Sequence, residues 1–173
     1  MTSADPTLAD LVSRQEIHDV VLRYCRGIDR RDFDLVRDCY HPGAVDHHGD
    51  FTGPVDAFIV WVDGQLAQLG GTHHQVGNQL CERNGDDAVL ESYVTATHWA
   101  DPDKPLQAFL TTGLRYVDHF QRRAGRWAIA ERWAVRDWTR WETRLVGPAD
   151  HSDPQPGHGD ADPIERLRAR ILG

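Results

Sequence analysis

The sequence predicts an α+β fold in which N-terminal helices pack on a long, mainly antiparallel sheet. Up to Leu69, apolar residues recur at steps of three and four, which is typical of amphipathic helices. From Thr72 to Trp141 the period changes to two, which is typical of half-buried strands. Helices followed by strands indicate an α+β order. The chain of 173 residues is long enough for one domain with its own core.

Three helices are predicted in the first part of the chain. Ser13 and Glu16 fit a capping box at the start of the first helix, and Asp32 can cap a short second helix. A strand, a turn and a returning strand over residues 44–53 lead to Gly53-Pro54, which opens the third helix. The apolar faces of the first and third helices carry Ile17, Val20, Val21, Tyr24 and Ile28, then Val55, Phe58, Ile59, Val62, Leu66 and Leu69.

Four long strands are predicted after the helices. The first begins at Thr72 and ends at the Asn84-Gly85 turn, and the others cover residues 88–99, 106–122 and 126–141. Alternation along the last strand places Trp127 and Trp133 on one face and Trp138 on the other. We therefore assign residues 1–146 to one domain. A Pro- and Gly-rich linker and a short C-terminal helix make up residues 147–173.

Composition and charge exclude several classes of partner. The formal net charge is -8, which argues against nucleic-acid binding, because contacts to phosphates need a basic face. The same charge argues against docking on anionic lipid. No apolar run reaches the roughly 18 residues of a membrane helix, and the N-terminus does not resemble a signal peptide. The 3 cysteines are widely spaced and match no disulfide or zinc pattern, so we expect a cytoplasmic protein.

Three features of the sequence are candidates for chemistry. Tyr24 and Asp29 lie near the end of the first predicted helix. His74 lies at the start of the sheet and shares a predicted face with Asn78. Arg132 lies in the last predicted strand among small residues. A cation on such a face is unusual for a plain core, because a buried charge needs a partner.

These residues resemble the pattern of the SnoaL-like family, in the nuclear-transport-factor-2-like superfamily of α+β cones. There an Asp follows a Gly-apolar pair, as in Gly27-Ile28-Asp29. A His ends a Thr-x-His segment with an Asn four residues later, as in Thr72-His73-His74 and Asn78. An Arg follows a Trp by five residues, as Arg132 follows Trp127. The resemblance covers about residues 8–145 and implies a cone-shaped, cystatin-like barrel.

Within the family, the local resemblance is closest to hexachlorocyclohexane dehydrochlorinases and bile-acid 7α-dehydratases, with scytalone dehydratases more distant. It implies a cofactor-independent lyase or isomerase in which His74 is the general base and Asp29 orients it. Tyr24 would donate a hydrogen bond to the substrate, and Arg132 would stabilise developing negative charge. The dehydrochlorinases have a Lys at the position of Tyr24 and the bile-acid dehydratases a Tyr, which favours a dehydratase or isomerase.

Each candidate also has a purely structural interpretation. Asp29 can cap the next helix or pair with a neighbouring arginine. A shift of one residue along the strand would turn His73 inward instead of the histidine that comes after it. Arg132 can form an ion pair with Glu91 or Glu131, and the tyrosine of the first helix can be a core residue. No metal site is predicted, because adjacent histidines on a strand point to opposite faces.

The expected partners are a small, apolar, cyclic substrate of the steroid, terpenoid or polyketide type and further copies of the chain. Strands rich in tryptophan favour a homo-oligomer, and the family favours a trimer over a dimer. The alternative functions are a polyketide cyclase and a non-catalytic subunit that binds a small ligand or serves structure, as in ring-hydroxylating dioxygenases. An open cavity beside the histidine favours an enzyme, and a filled one favours a structural subunit.

Overall fold

Four helices and six strands make up the part of the chain that the computed structural model describes, residues 7–100, 109–142 and 163–172. In chain order they are α1 (Leu8–Arg30), α2 (Phe33–Asp38), β1 (Tyr40–His48), β2 (Phe51–Pro54), α3 (Val55–Leu66), β3 (Gly71–Asn84), β4 (Asp87–Trp99), β5 (Phe109–Arg123), β6 (Arg126–Glu142) and α4 (Pro163–Ile171). The predicted α+β class is confirmed. The predicted linker and the domain boundary at residue 146 lie outside the described residues.

The six strands form one sheet in the order β2-β1-β6-β5-β4-β3. Neighbouring strands are antiparallel except β1 and β6, which are parallel. Between these two strands the chain passes through β2, α3, β3, β4 and β5. The edges of the described sheet are β2 and β3. The predicted barrel is therefore an open, curved sheet.

The helices begin and end where local chemistry allows it. α1 begins after Thr7, whose side chain accepts a hydrogen bond from the backbone N–H of Asp10. The carboxylate of Asp10 in turn accepts from the backbone N–H of Thr7. The predicted capping box at Ser13 is wrong: Ser13 is buried inside α1, because no residue between it and Thr7 interrupts the helix. Asp32 caps α2 through the N–H of Leu35, as predicted.

A bulge in β6 places Trp133 on the face opposite to Trp127. Ile129 pairs with Phe120 and Glu131 pairs with His119, so Ala130 between them has no partner. One extra residue turns the side chains that follow it to the other face. A second unpaired residue, Asp137, lies between Arg136, which pairs with Leu114, and Trp138, which pairs with Gly113, so the original alternation returns from there. Trp127 is consequently buried at 2% exposure, whereas Trp133 is 49% exposed. The prediction that they share a face is wrong, and the bulge turns Arg132 inward.

A second bulge, in β3, separates Asn78 from His74. Val76 pairs with Val94 and Gln79 pairs with Ser92, so that Gly77 and Asn78 oppose a single residue of β4. Asn78 is exposed, whereas His74 lines an internal cavity. The predicted common face of these two residues is therefore wrong.

The core lies between the helices and one face of the sheet. α1 packs against β3 and β6, and α3 packs against β1 and β2. Phe58 of α3 and Tyr116, Phe120 and Ile129 of the sheet are fully buried between them. No helix within the described ranges is both long and apolar enough to cross a membrane.

Candidate active site

A cavity of about 420 Å³ opens between α1, α3 and the inner face of the sheet. Its wall combines apolar side chains with several that can carry or share a proton. Among the residues that line it are Tyr24, Ile28, His48, Trp61, His74, His98, Leu114, Tyr116, Ala134 and Trp141. The open volume beside ionisable groups is the kind of site in which acid–base chemistry is expected.

His74 binds Asp29 through two hydrogen bonds. Its backbone N–H lies 3.0 Å from Oδ2 of Asp29, and its ring Nδ1 lies 2.6 Å from Oδ1. Because an ionised carboxylate only accepts, the hydrogen of the neutral ring lies on Nδ1, and Nε2 keeps a free lone pair. The side chains of His74 and Asp29 are only 7% and 12% exposed. The pair therefore combines a free ring nitrogen with a fixed ring orientation.

The end of α1 positions Asp29. The helix closes at Arg31, which adopts the left-handed conformation with φ of 53°. A Cβ at Gly27 would lie 2.7 Å from Cγ2 of Val36, so only glycine allows α2 to cross α1 this closely. A carboxylate in the last turn is disfavoured by the helix dipole, and the two N–H groups of His74 offset that cost. The adjacent His73 is exposed, so His74 is the histidine that faces inward.

Arg132 lies beneath the cavity and is not one of the residues that line it. Its guanidinium carbon is 4.0 Å from the ring centre of Tyr24 and 4.1 Å from that of Tyr116. A cation between two aromatic faces is stabilised by both. Both tyrosines line the cavity, so their rings separate the charge from its contents. Arg132 can thus act on a bound molecule only through these rings.

Asp118 is the ionic partner of Arg132. Nε and Nη2 of the arginine donate to the two carboxylate oxygens at 2.7 Å each, and both side chains are fully buried. Burial alone would lower the pKa of Arg132, but the adjacent carboxylate raises it well above its ordinary value. The predicted partners are wrong, because Glu91 binds Arg115 and Glu131 binds His47 on the outer face.

His98 is a second histidine of the cavity wall that sequence reasoning missed. It lies beside His74, with ring centres 6.1 Å apart. Burial, and secondarily the charge of His74, lowers the pKa of His98 to about 4. Its alternation with Val94 and Ala96, both buried, was a usable signal for an inward-facing side chain. His98 is therefore a neutral imidazole of the cavity wall at ordinary pH.

The low pKa of His98 predicts a loss of stability in mild acid. The unfolded chain binds this proton near pH 6.5 and the folded chain only near pH 4, so stability falls as the pH decreases between these values. Between about pH 7.5 and about pH 5, protonation linked to His98 should lower the free energy of unfolding by about 2 kcal/mol. Urea unfolding should show that wild type loses about 2 kcal/mol more of this free energy than His98→Gln does over the same pH range. Equal losses in both proteins would contradict the assignment.

Asp46 and His48 form another pair that the sequence analysis did not single out. Both lie on the inward face of β1, two residues apart, and Asp46 is fully buried. Oδ1 of Asp46 lies 3.5 Å from Nδ1 of His48, and Tyr40 donates its hydroxyl to the other carboxylate oxygen. In the sequence, the alternation of Ala44, Asp46 and His48 was the signal that these side chains share one face of a strand. No group of three or more potential metal ligands occurs among the described residues.

The fold and the site together define a class of protein, the α+β cone with an internal, acid–base-lined pocket. Residues 9–133 match the family model described as the SnoaL-like domain, and the chain belongs to this family. The family predicted from Asp29, His74 and Arg132 is therefore confirmed. No curated protein sequence matches the chain.

Solved structures are similar to the chain in fold. Hexachlorocyclohexane dehydrochlorinase LinA-type3 from Novosphingobium barchaimii is 17% identical with a TM-score of 0.70, covering 80% of this chain and 97% of its own. A candidate scytalone dehydratase from Novosphingobium aromaticivorans is 18% identical with a TM-score of 0.68, covering 83% and 97%. A protein of unknown function with a cystatin-like fold, from Nostoc punctiforme, is 16% identical with a TM-score of 0.61, covering 78% and 96%. At such identities these likenesses establish the fold alone.

Proposed function

We propose that this protein is a cofactor-independent lyase of the dehydratase type, which removes a proton from a small, apolar, cyclic substrate. One observation carries the proposal: Nδ1 of His74 is bonded to Asp29 at 2.6 Å while the ring lines an open cavity. A neutral imidazole held in this way is a general base suited to neutral pH. The chain's membership of the SnoaL-like family and its likeness in fold to a dehydrochlorinase agree with elimination chemistry.

In the proposed reaction, Nε2 of His74 takes a proton from a carbon next to a carbonyl. The imidazolium that forms is stabilised by Asp29, whose carboxylate already accepts from Nδ1. Burial raises the pKa of Tyr24 far above its ordinary value, so its hydroxyl keeps its hydrogen and can donate to the carbonyl oxygen. Arg132 stacks on the ring of Tyr24 and is a positioning residue in this scheme. The electron pair of the broken C–H bond forms a double bond and expels a leaving group, or shifts an existing double bond.

The cavity favours an apolar ring system as the substrate. Trp61, Trp141 and several aliphatic side chains line it, and about 420 Å³ accommodates two or three fused rings. The same open volume favours an enzyme over a structural subunit, in which side chains would fill the space. A double-bond isomerase or a polyketide cyclase would share the proton abstraction and differ in the later steps of the reaction.

A panel of cyclic β-hydroxy ketones with one to three rings tests the proposal. We expect the protein to convert at least one of them to the conjugated enone, followed by ultraviolet absorbance. In deuterated water it should also exchange the hydrogen next to the carbonyl, followed by NMR. Free imidazole at the same concentration is the control for uncatalysed base action. If no member of the panel forms enone or exchanges hydrogen above that control, the proposed function is contradicted.

We also propose that the chain forms a homotrimer through the outer face of the sheet. Trp133 and Trp138 are 49% and 50% exposed there, and large apolar surfaces of this kind are usually covered. Light scattering should give three times the chain mass of 19.6 kDa. Trp133→Glu should lower that mass, because a charge in an apolar interface is unfavourable. A monomeric wild type would contradict the proposal.

A further inference from the structure

The cavity contains a second histidine–carboxylate pair that the proposed proton abstraction does not use. His48 stands on β1 and His74 on β3, strands that β6, β5 and β4 separate in the sheet. Both rings line the same cavity. The two histidines therefore belong to different walls of one pocket, and a substrate between them can meet a proton acceptor on one side and another titratable group on the other.

Asp46 lacks the full set of partners that a buried carboxylate needs. Its Oδ2 accepts the hydroxyl of Tyr40, but Oδ1 has no hydrogen-bond partner among the described residues. Nδ1 of His48 is also buried and, within the described ranges, equally lacks a hydrogen bond. The two atoms are 3.5 Å apart, so a small rotation of the ring closes the bond. Unsatisfied buried polar atoms are rare and call for an explanation.

The geometry of the pair offers an explanation, because Asp46 lies behind the ring of His48. Its carboxylate is buried beside Nδ1, where it can accept a hydrogen that this nitrogen carries. Nδ1 faces the carboxylate and is buried, so the exposed part of the side chain, 23% of it, belongs to the rest of the ring. Nε2 lies on the side of the imidazole ring away from Asp46. Around the ring, Phe58 and Trp61 provide an apolar packing surface with ring centres 5.3 and 5.8 Å away.

We propose that His48, backed by Asp46 and Tyr40, is the proton donor to the leaving group, so that the substrate loses a hydroxyl. The inference rests on the proposed function. As Nε2 of His74 takes the proton from carbon, the C–H electron pair forms the double bond and the C–O bond breaks. The departing oxygen takes the proton from Nε2 of His48 and leaves as water. His48 ends neutral and His74 protonated, and exchange with solvent resets both.

A leaving group that needs no proton separates this role from a structural one. The probes are the β-hydroxy ketones of the panel and their acetate esters, since acetate departs as an anion. In His48→Gln we expect loss of water to slow by about 10²–10⁴-fold, the usual contribution of a general acid. Loss of acetate should change by less than about threefold, because only proton donation is removed. Asp46→Asn should show the same selectivity with a smaller effect.

Each outcome decides a different question. If wild type eliminates neither water nor acetate, the proposed function fails and this inference fails with it. If wild type eliminates only acetate, or a folded His48→Gln slows both reactions equally, the base stands and only the role of His48 is overturned. Circular dichroism shows whether His48→Gln has folded. If it has not, Asp46→Asn decides, because that variant keeps the imidazole and changes one carboxylate oxygen.

Discussion

Replacing His74 with Gln is expected to lower kcat for elimination by about 10²–10⁴-fold, because the general base is removed. The adjacent histidine offers a matched control, since His73 is exposed and His74 faces the cavity. His73→Gln carries the same chemical change one residue away and should keep its activity within about twofold. Steady-state kinetics of both variants on the best β-hydroxy ketone of the panel give the comparison.

Asp29→Asn extends this prediction to the orientation of the base. The backbone N–H of His74 can still bond the amide oxygen, but the amide nitrogen then faces Nδ1 and donates to it. The ring hydrogen moves to Nε2, and the base loses its lone pair toward the cavity. We expect a loss of kcat of about 10³-fold or more, as for a wrong tautomer in a triad. A His74→Gln or Asp29→Asn variant with more than a tenth of wild-type activity would contradict the assignment.

Replacing Asp118 with Asn is expected to destabilise the fold by about 3–5 kcal/mol, the largest effect on stability that we predict. Arg132 is fully buried and would keep its charge without an ionised partner. The matched control is Glu91→Gln, which removes one carboxylate from the partly exposed Arg115 on the outer face. That change should cost less than about 1 kcal/mol. Urea unfolding measures both values.

A double replacement tests whether the stability lost in Asp118→Asn comes from the unpaired charge of Arg132. Arg132→Met with Asp118→Leu removes both charges and keeps an apolar side chain between Tyr24 and Tyr116. We expect the double variant to recover most of the stability lost in Asp118→Asn, since buried ion pairs are often replaceable by apolar pairs. An Asp118→Asn variant that loses less than about 1 kcal/mol would show that Arg132 does not depend on this carboxylate.

The class of fold was predictable because helices and strands leave local periodic patterns. The buried stripe of α3, from Val55 to Leu66, and the alternation of β4 are such patterns. The bulges at Ala130 and at Gly77 leave no such pattern, because an unpaired residue of a strand looks the same in the sequence as a paired one. The faces of Trp133 and Asn78 were therefore predicted wrongly.

The contacts within the site were less predictable than the residues. Asp29 and His74 are 45 residues apart, and only the family resemblance linked them. Asp118 shares the inward face of β5 with Leu114 and Tyr116, so alternation identifies a buried carboxylate there. Alternation does not reveal that Asp118 meets Arg132, because that depends on the register between β5 and β6. Pairing across strands is the part of the site that requires coordinates.

The position of the hydrogen on the His74 ring tests the proposed base most directly. Nitrogen NMR of the uniformly labelled protein at about pH 8, with His74 assigned by its absence from the His74→Gln spectrum, measures it without any substrate. We predict a hydrogen on Nδ1, bonded to Asp29, and a bare Nε2. In Asp29→Asn the hydrogen should move to Nε2. A wild-type ring with its hydrogen on Nε2 would contradict the proposed base, because no free nitrogen would then face the cavity.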